Sequence, residues 1–185
     1  STLRFKIGDK SERNMYKMTI PGRFFIQKFL RSAVRAGCQY AVVEMTSEGA
    51  RQFRHKFIAL DALIFTNLSP EHIESHGSYD KYIKAKLMIA NALEKSKKKR
   101  KILVVNADDA EASKFLAFNI AEKYKYSLKD AEPFTLEKEG LQMTVGGVAI
   151  KSKLSGKFNI YNMLGALVYA KTQNISIPVI KRALE

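Results

Sequence analysis

Residues 66–77 place His72 and His76 beside Glu71, Glu74, Asn67 and Gly77, and Tyr82, Ala85 and Lys86 follow closely. The stretch comes directly after an apolar run, residues 61–65, that reads as a buried strand. Imidazole, carboxylate, amide and amine groups gathered beyond the C-terminal end of a strand can hold divalent cations and phosphate oxygens. Glu44 closes an earlier apolar run and offers a hard oxygen suited to Mg²⁺, although capping of the next helix is equally open to it. Mg²⁺ prefers oxygen donors, so the residue type of His72 alone does not make it a ligand. Arg54 carries a planar fork that donates two parallel hydrogen bonds to a carboxylate or phosphate. Ser47 can cap a helix, bind a ligand, or do both.

The elements that must hold these groups alternate in type. Residues 39–44, 61–65 and 101–106 are compact apolar runs, as expected of parallel strands buried on both faces. Helical spacing is expected over 21–36, where Pro21 suits a first turn, and over 80–95, 110–121 and 159–172. Short strands are expected at 124–128, 133–136, 141–145 and 148–152, with Gly140, Gly146 and Gly147 near the turns. The fold class is therefore α/β: a mostly parallel sheet flanked by helices, with a short antiparallel extension at its edge. Asn106, Asp108 and Asp109 read mainly as a turn and helix cap.

Composition narrows the setting. A chain of 185 residues with 46% hydrophobic residues suffices for one domain with a sizeable core and is not that of a disordered protein. Cys38 is the single cysteine, so no internal disulfide forms, and a reducing, cytoplasmic setting is expected. No apolar run approaches the length of about 20 residues that a bilayer span requires. The net charge of +14 calls for an anionic partner. Much of it lies in the basic run 95–101, which reads as a solvated helix end and loop; a nucleic-acid face would interleave aromatics with the cations, and here they are spread elsewhere.

Four segments, in order, resemble the central domain of the Mur ligases, specifically the branch that adds the third amino acid to UDP-N-acetylmuramoyl-dipeptide. Met18-Thr19-Ile20-Pro21 resembles the family's Thr-Thr-Pro segment. Glu44-Met45-Thr46-Ser47-Glu48-Gly49 with Gln52 and Arg54 resembles its Glu-Val-Ser-Ser-x-Gly-x-x-Gln-x-Arg. Asn67 through His72, His76-Gly77, Tyr82 and Ala85-Lys86 follow its metal and lysine pattern. Gly156-Lys157-Phe158-Asn159 through Asn162 resembles its Gly-x-Phe-Asn-x-x-Asn. Ile20 and Thr46 depart from the pattern. The phosphate-binding Gly-x-x-x-x-Gly-Lys-Ser/Thr loop does not occur, because Phe158 follows Gly156-Lys157 where a hydroxyl residue is needed.

The resemblance implies a P-loop NTPase-like fold and an ATP-dependent amide ligation through an acyl phosphate. It also implies ATP and Mg²⁺ as cofactors, a UDP-N-acetylmuramoyl-peptide and an amino acid as reaction partners, and no nucleic-acid or membrane partner. Glu44, His72 and a carbamylated Lys86 would hold the metal, with Lys86 and His72 catalytic. Thr19, Ser47, Gln52 and Arg54 would line the muramoyl substrate, and Asn162 and Asn67 would contact ATP. His76 would lie near the metal or shape the turn. Residues 1–185 are then expected to be a central-domain fragment, lacking the phosphate loop and the flanking ligase domains and inactive on its own. The readings held beside this one are another ligase of the same superfamily, of folylpolyglutamate or cyanophycin synthetase type, and a basic, non-catalytic nucleic-acid-binding α/β domain.

Overall fold

The computed structural model describes residues 2–16, 18–68 and 77–185. The chain divides into two compact units, one of Ser1–Ala59 with Pro70–Lys95, the other of Leu60–Ser69 with Ser96–Glu185.

The first unit opens with an antiparallel hairpin of β1 (Arg4–Ile7) and β2 (Lys10–Arg13). The polar composition of β2, exposed throughout, kept this hairpin out of the sequence-based expectations. Gly8 makes its turn at φ 57°, a left-handed conformation that costs glycine little. The hairpin is pinned by aromatic packing: the Phe5 ring lies 4.9 Å from Phe25 and 5.7 Å from Phe29, both on α1 (Arg23–Arg35). Helix α2 (Ser47–Arg51) is capped by Thr46, whose hydroxyl accepts the Gly49 N–H at 3.0 Å. Thr46, not Ser47, is therefore the N-cap, and Ser47 is the first helical residue. Helix α3 (Tyr79–Glu94) starts at Ser78, whose hydroxyl accepts the Lys81 N–H, and packs against α2. It buries Tyr82, Ile83, Ala85, Ile89, Ala90 and Leu93 along one side.

Residues 39–44 form no strand, contrary to the apolar pattern. The segment is irregular, and Val42 is 95% exposed. An apolar run becomes a strand only when neighbours satisfy its backbone groups, and among the described residues it has no ladder partner.

The second unit is built on a three-stranded parallel sheet of β3 (Ala62–Phe65), β4 (Ile102–Asn106) and β5 (Glu122–Tyr126), in that order. The central β4 is buried at every residue, as its unbroken apolar run requires. The strand expected at 124–128 is thus a parallel member of this sheet. The helix expected over 110–121 contracts to α4 (Ala112–Leu116), because the Asn106–Asp109 turn and the turns after Phe115 take up the rest of the crossover. Strands β6 (Phe134–Glu137), β7 (Gly140–Val145) and β8 (Val148–Ser152) form an antiparallel sheet of their own rather than lengthening the parallel one. Gly146 and Gly147, both at positive φ, make the two-residue turn between β7 and β8.

Helix α5 (Lys157–Thr172) lays Ile160, Met163, Leu164 and Leu167 into the core of this unit, joined by Ile180 of α6 (Ile177–Leu184). Gly165 permits that approach, since a Cβ there would sit 3.1 Å from both Ile64 Cγ2 and Tyr126 Oη. Part of the basic run is consumed internally: Arg100 pairs with Glu122 through two bonds and donates to the Thr172 carbonyl, and Lys98 lies 3.1 Å from Asp61. Among the described residues, no helix is long and apolar enough to cross a membrane.

Candidate functional site

In the first unit the sequence-predicted residues converge in two groups. The first is Glu44, Thr19 and Lys86. The exposed Glu44 carboxylate accepts the Thr2 N–H at 2.9 Å on one oxygen and the Thr2 hydroxyl at 3.0 Å on the other. The Thr2 hydroxyl also lies 2.8 Å from that of Thr19. Lys86 is half-buried on α3, whereas Lys81 and Lys84 on the same helix are exposed. Burial pushes the Lys86 ammonium below the usual lysine range, and the charge of Glu44 opposes the shift. The Tyr82 ring lies 5.9 Å from its Nζ.

The donor chemistry fits a divalent cation bound with a carbamylated lysine. Carbamylation would need a neutral amine, which burial favours, and would convert a repelling cation into an oxygen ligand within the electrostatic reach of Glu44. His72 and His76, the remaining residues of this set, lie outside the described residues. Among the described residues no group of three or more His, Cys, Asp or Glu side chains could by itself hold a metal.

The second group is Gln52 and Arg54. Helix α2 ends in a Schellman arrangement: the Phe53 N–H bonds to the Ala50 carbonyl and the Arg54 N–H to the Gly49 carbonyl, each at 2.9 Å. Phe53 fills the left-handed position, φ 55°, where glycine is usual. The turn aims Arg54 back across the unit. Its guanidinium donates to the Ile20 carbonyl and to Gln52 Oε1, while Gln52 Nε2 donates to Glu48, which also holds Arg51 through two bonds. Gln52 and Arg54 are thereby tied to the Met18–Ile20 segment that carries Thr19. Ser47 is buried, 6% exposed, at the first helical position of α2.

In the second unit, residues at the carboxyl ends of the parallel strands are braced together. Buried Asn106 donates from Nδ2 to the Thr66 carbonyl at 2.8 Å and accepts the Asp108 N–H at 3.1 Å. Asp109 accepts the Leu68 N–H at 2.7 Å and caps its own turn by accepting the Glu111 N–H. Asp108 accepts the Leu128 N–H at 2.7 Å and the Tyr161 hydroxyl at 3.0 Å. This carboxylate and burial hold the Tyr161 phenol above its ordinary range, with burial the larger cause. Exposed Asn67 follows β3, and exposed Asn162 lies one residue beyond Tyr161, its Nδ2 donating to Asn159 Oδ1 at 3.2 Å. Asn159 in turn holds the Ser155 carbonyl at 2.8 Å, a structural role.

Two contributors escaped sequence reading. Thr2 meets Glu44 across 42 residues of chain, and no local pattern announces such a contact. Asp108 was assigned to the turn, yet its bond to Tyr161 spans 53 residues and is equally invisible locally.

Comparison with known proteins bears on this arrangement. Residues 1–170 match the Mur ligase middle domain. The chain is 34% identical over 203 aligned positions to a UDP-N-acetylmuramyl-tripeptide synthetase of Roseiflexus sp. (strain RS-1), covering 100% of this chain and 40% of that protein. It is 28% identical to a UDP-N-acetylmuramoyl-L-alanyl-D-glutamate–L-lysine ligase of Staphylococcus aureus (strain bovine RF122 / ET3-1), covering 90% of this chain and 36% of that protein. Among solved structures, a UDP-N-acetylmuramoyl-L-alanyl-D-glutamate–2,6-diaminopimelate ligase aligns with a TM-score of 0.72 at 24% identity, over 86% of this chain and 35% of that one, a likeness of fold. The chain thus spans about two fifths of the length of the curated relatives it matches.

Proposed function

Because the chain belongs to the Mur ligase family, as its middle domain, we propose that it supplies the catalytic core of an ATP-dependent ligase that adds an amino acid to UDP-N-acetylmuramoyl-dipeptide in peptidoglycan synthesis. The observation that carries this reading is a half-buried Lys86 within the electrostatic reach of Glu44 in one unit, with Thr2 linking Glu44 to Thr19. The relatives' names support the same substrate class, and they differ in the amino acid added.

In this reading the terminal carboxylate of the muramoyl dipeptide attacks the γ-phosphorus of ATP, releasing ADP and leaving an acyl phosphate. The amine of the incoming amino acid then attacks the acyl carbon and expels phosphate. Such transfers depend on positioning and charge neutralisation. Glu44, His72 and a carbamylated Lys86 would hold Mg²⁺, which would supply that neutralisation. The neutral Lys86 amine forms its N–C bond to CO₂ and loses a proton to solvent, giving the carbamate anion. Thr19, Gln52, Arg54 and Ser47 hold the muramoyl substrate, and Asn67 and Asn162 hold the nucleotide, with Asp108 and Tyr161 steadying the start of α5.

The test is ligation by the full-length gene product with ATP, Mg²⁺, UDP-N-acetylmuramoyl-dipeptide and a panel of amino acids that includes lysine and 2,6-diaminopimelate. Phosphate release that requires both the muramoyl dipeptide and one amino acid is expected. Release that ignores the muramoyl dipeptide, or follows a folate or another acyl acceptor instead, would overturn it.

A further inference from the structure

The hydrogen bonds between Thr19, Thr2 and Glu44 have a direction. A carboxylate accepts and does not donate, and each threonine hydroxyl has one proton. The Thr2 hydroxyl, 3.0 Å from Glu44 Oε1, must spend its proton there. The 2.8 Å contact between the two hydroxyls is then made by the Thr19 proton. Thr19 has no proton left and faces any ligand as an acceptor only.

The local structure keeps this chain in place. Thr2 immediately precedes the hairpin, which Phe5 anchors to Phe25 and Phe29 of α1. The hairpin is closed by the bond from the Asn14 N–H to the Leu3 carbonyl at 2.9 Å. Asn14 then fixes the returning segment: its Nδ2 donates to the Met18 carbonyl at 2.8 Å and its Oδ1 accepts the Tyr16 N–H at 2.9 Å. Thr2 and Thr19 are thus delivered from the two ends of one anchored hairpin to the same carboxylate.

We propose that Thr2 is a positioning residue that orients the Glu44 carboxylate for its cation and, by accepting the hydrogen bond of the Thr19 hydroxyl, makes Thr19 the receptor for a hydrogen-bond donor of the substrate. The group met by Thr19 is then an amide N–H or hydroxyl of the sugar–peptide portion, because phosphate and carboxylate oxygens have no proton to give. This inference rests on the reading of Glu44 as a metal ligand.

The experiment uses the full-length protein, with Mn²⁺ followed by electron paramagnetic resonance as the metal probe, and with UDP and UDP-N-acetylmuramoyl-dipeptide titrated calorimetrically. Thr2→Val is expected to weaken Mn²⁺ binding by about tenfold, the size usual for groups that orient metal ligands, with Thr2→Ser restoring it. Thr19→Val is expected to weaken the muramoyl dipeptide about tenfold, equivalent to about 1.4 kcal/mol, while leaving UDP and Mn²⁺ unchanged. Thr2 is exposed; should valine there nevertheless lower Tm, Thr2→Ala takes its place. Wild-type Mn²⁺ affinity in Thr2→Val alongside its loss in Glu44→Gln overturns the role of Thr2 and leaves the Glu44 reading standing. Unchanged Mn²⁺ affinity in Glu44→Gln removes that reading and the inference together. Equal weakening of UDP and the muramoyl dipeptide by Thr19→Val places the uridine diphosphate portion at Thr19 and overturns the assignment of the sugar–peptide donor to it.

Discussion

Glu44 is the anion that opposes the burial of Lys86: the surrounding protein drives the amine toward its neutral form while the carboxylate draws it back. A lysine kept purely for solubility would stay in water, as Lys81 and Lys84 do. The proposed carbamate follows from this tension. Lys86→Ala in the full-length ligase is expected to lower kcat by at least about 100-fold, with partial recovery on adding formate or acetate, read by phosphate release. ¹³C-bicarbonate should give a carbamate resonance in the wild type and none in the variant. Unchanged turnover in Lys86→Ala would rule the carbamate out.

Phe53 occupies the left-handed position that closes the Schellman turn, φ 55°, and Lys56 Nζ lies 4.4 Å from the centroid of its ring. The left-handed conformation costs a residue with a Cβ about 1–2 kcal/mol. Phe53→Gly is therefore expected to stabilise the chain by about 0.5–1 kcal/mol in urea unfolding, after the loss of the ring contact and the added freedom of the unfolded glycine. A loss of stability would mean that the ring holds the turn.

Gly165 stands where α5 meets the parallel sheet, with Ile64 and Tyr126 each 3.1 Å from the position a Cβ would take. Gly165→Ala gains helix propensity of about 1 kcal/mol but overpacks a dense interior at a cost of about 1–3 kcal/mol. A net loss is expected, larger for Gly165→Val, measured as a lower urea midpoint.

His55 is buried, and burial, followed by the neighbouring charge of Lys56, pushes its imidazole below the ordinary value of 6.5. The folded chain therefore binds fewer protons at this site than the unfolded chain once pH drops below about 6.5. Stability present above that pH is lost as pH falls toward the folded-state value. Tm measured from pH 7.5 down to 5 is expected to decline in this window, and His55→Leu should flatten that part of the decline. An identical slope in the variant would assign the acid sensitivity to other groups.

Much of this architecture could be read from residue patterns, where burial on both faces or one regular stripe leaves few choices. The run 102–106 is apolar throughout because β4 is the centre of its sheet, and Tyr79–Glu94 repeats its buried residues at helical spacing. The failures have physical causes too. Residues 39–44 carry the same apolar signal as β4, but a strand depends on its neighbours as well as on its own residues. Strands β1 and β2 were missed because a two-stranded hairpin held by Phe5 needs few apolar positions. At the site, the pattern pointed to Glu44 and Lys86 and the fold brings them into one electrostatic neighbourhood, whereas Thr2 and Asp108 act through contacts that no local spacing encodes.

The irregular segment 39–44 also governs how this polypeptide behaves in a tube. Val42 is 95% exposed and Tyr40 59%, on irregular backbone with no ladder partner among the described residues. Such a ribbon is adhesive toward another copy of itself, and the charge of +14 is the colloidal barrier that keeps copies apart. Screening shortens that barrier to about 3 Å at 1 M salt. Preparations that stay clear in dilute buffer should therefore turn turbid as sodium chloride rises, and a lysine in place of Val42 should keep them clear.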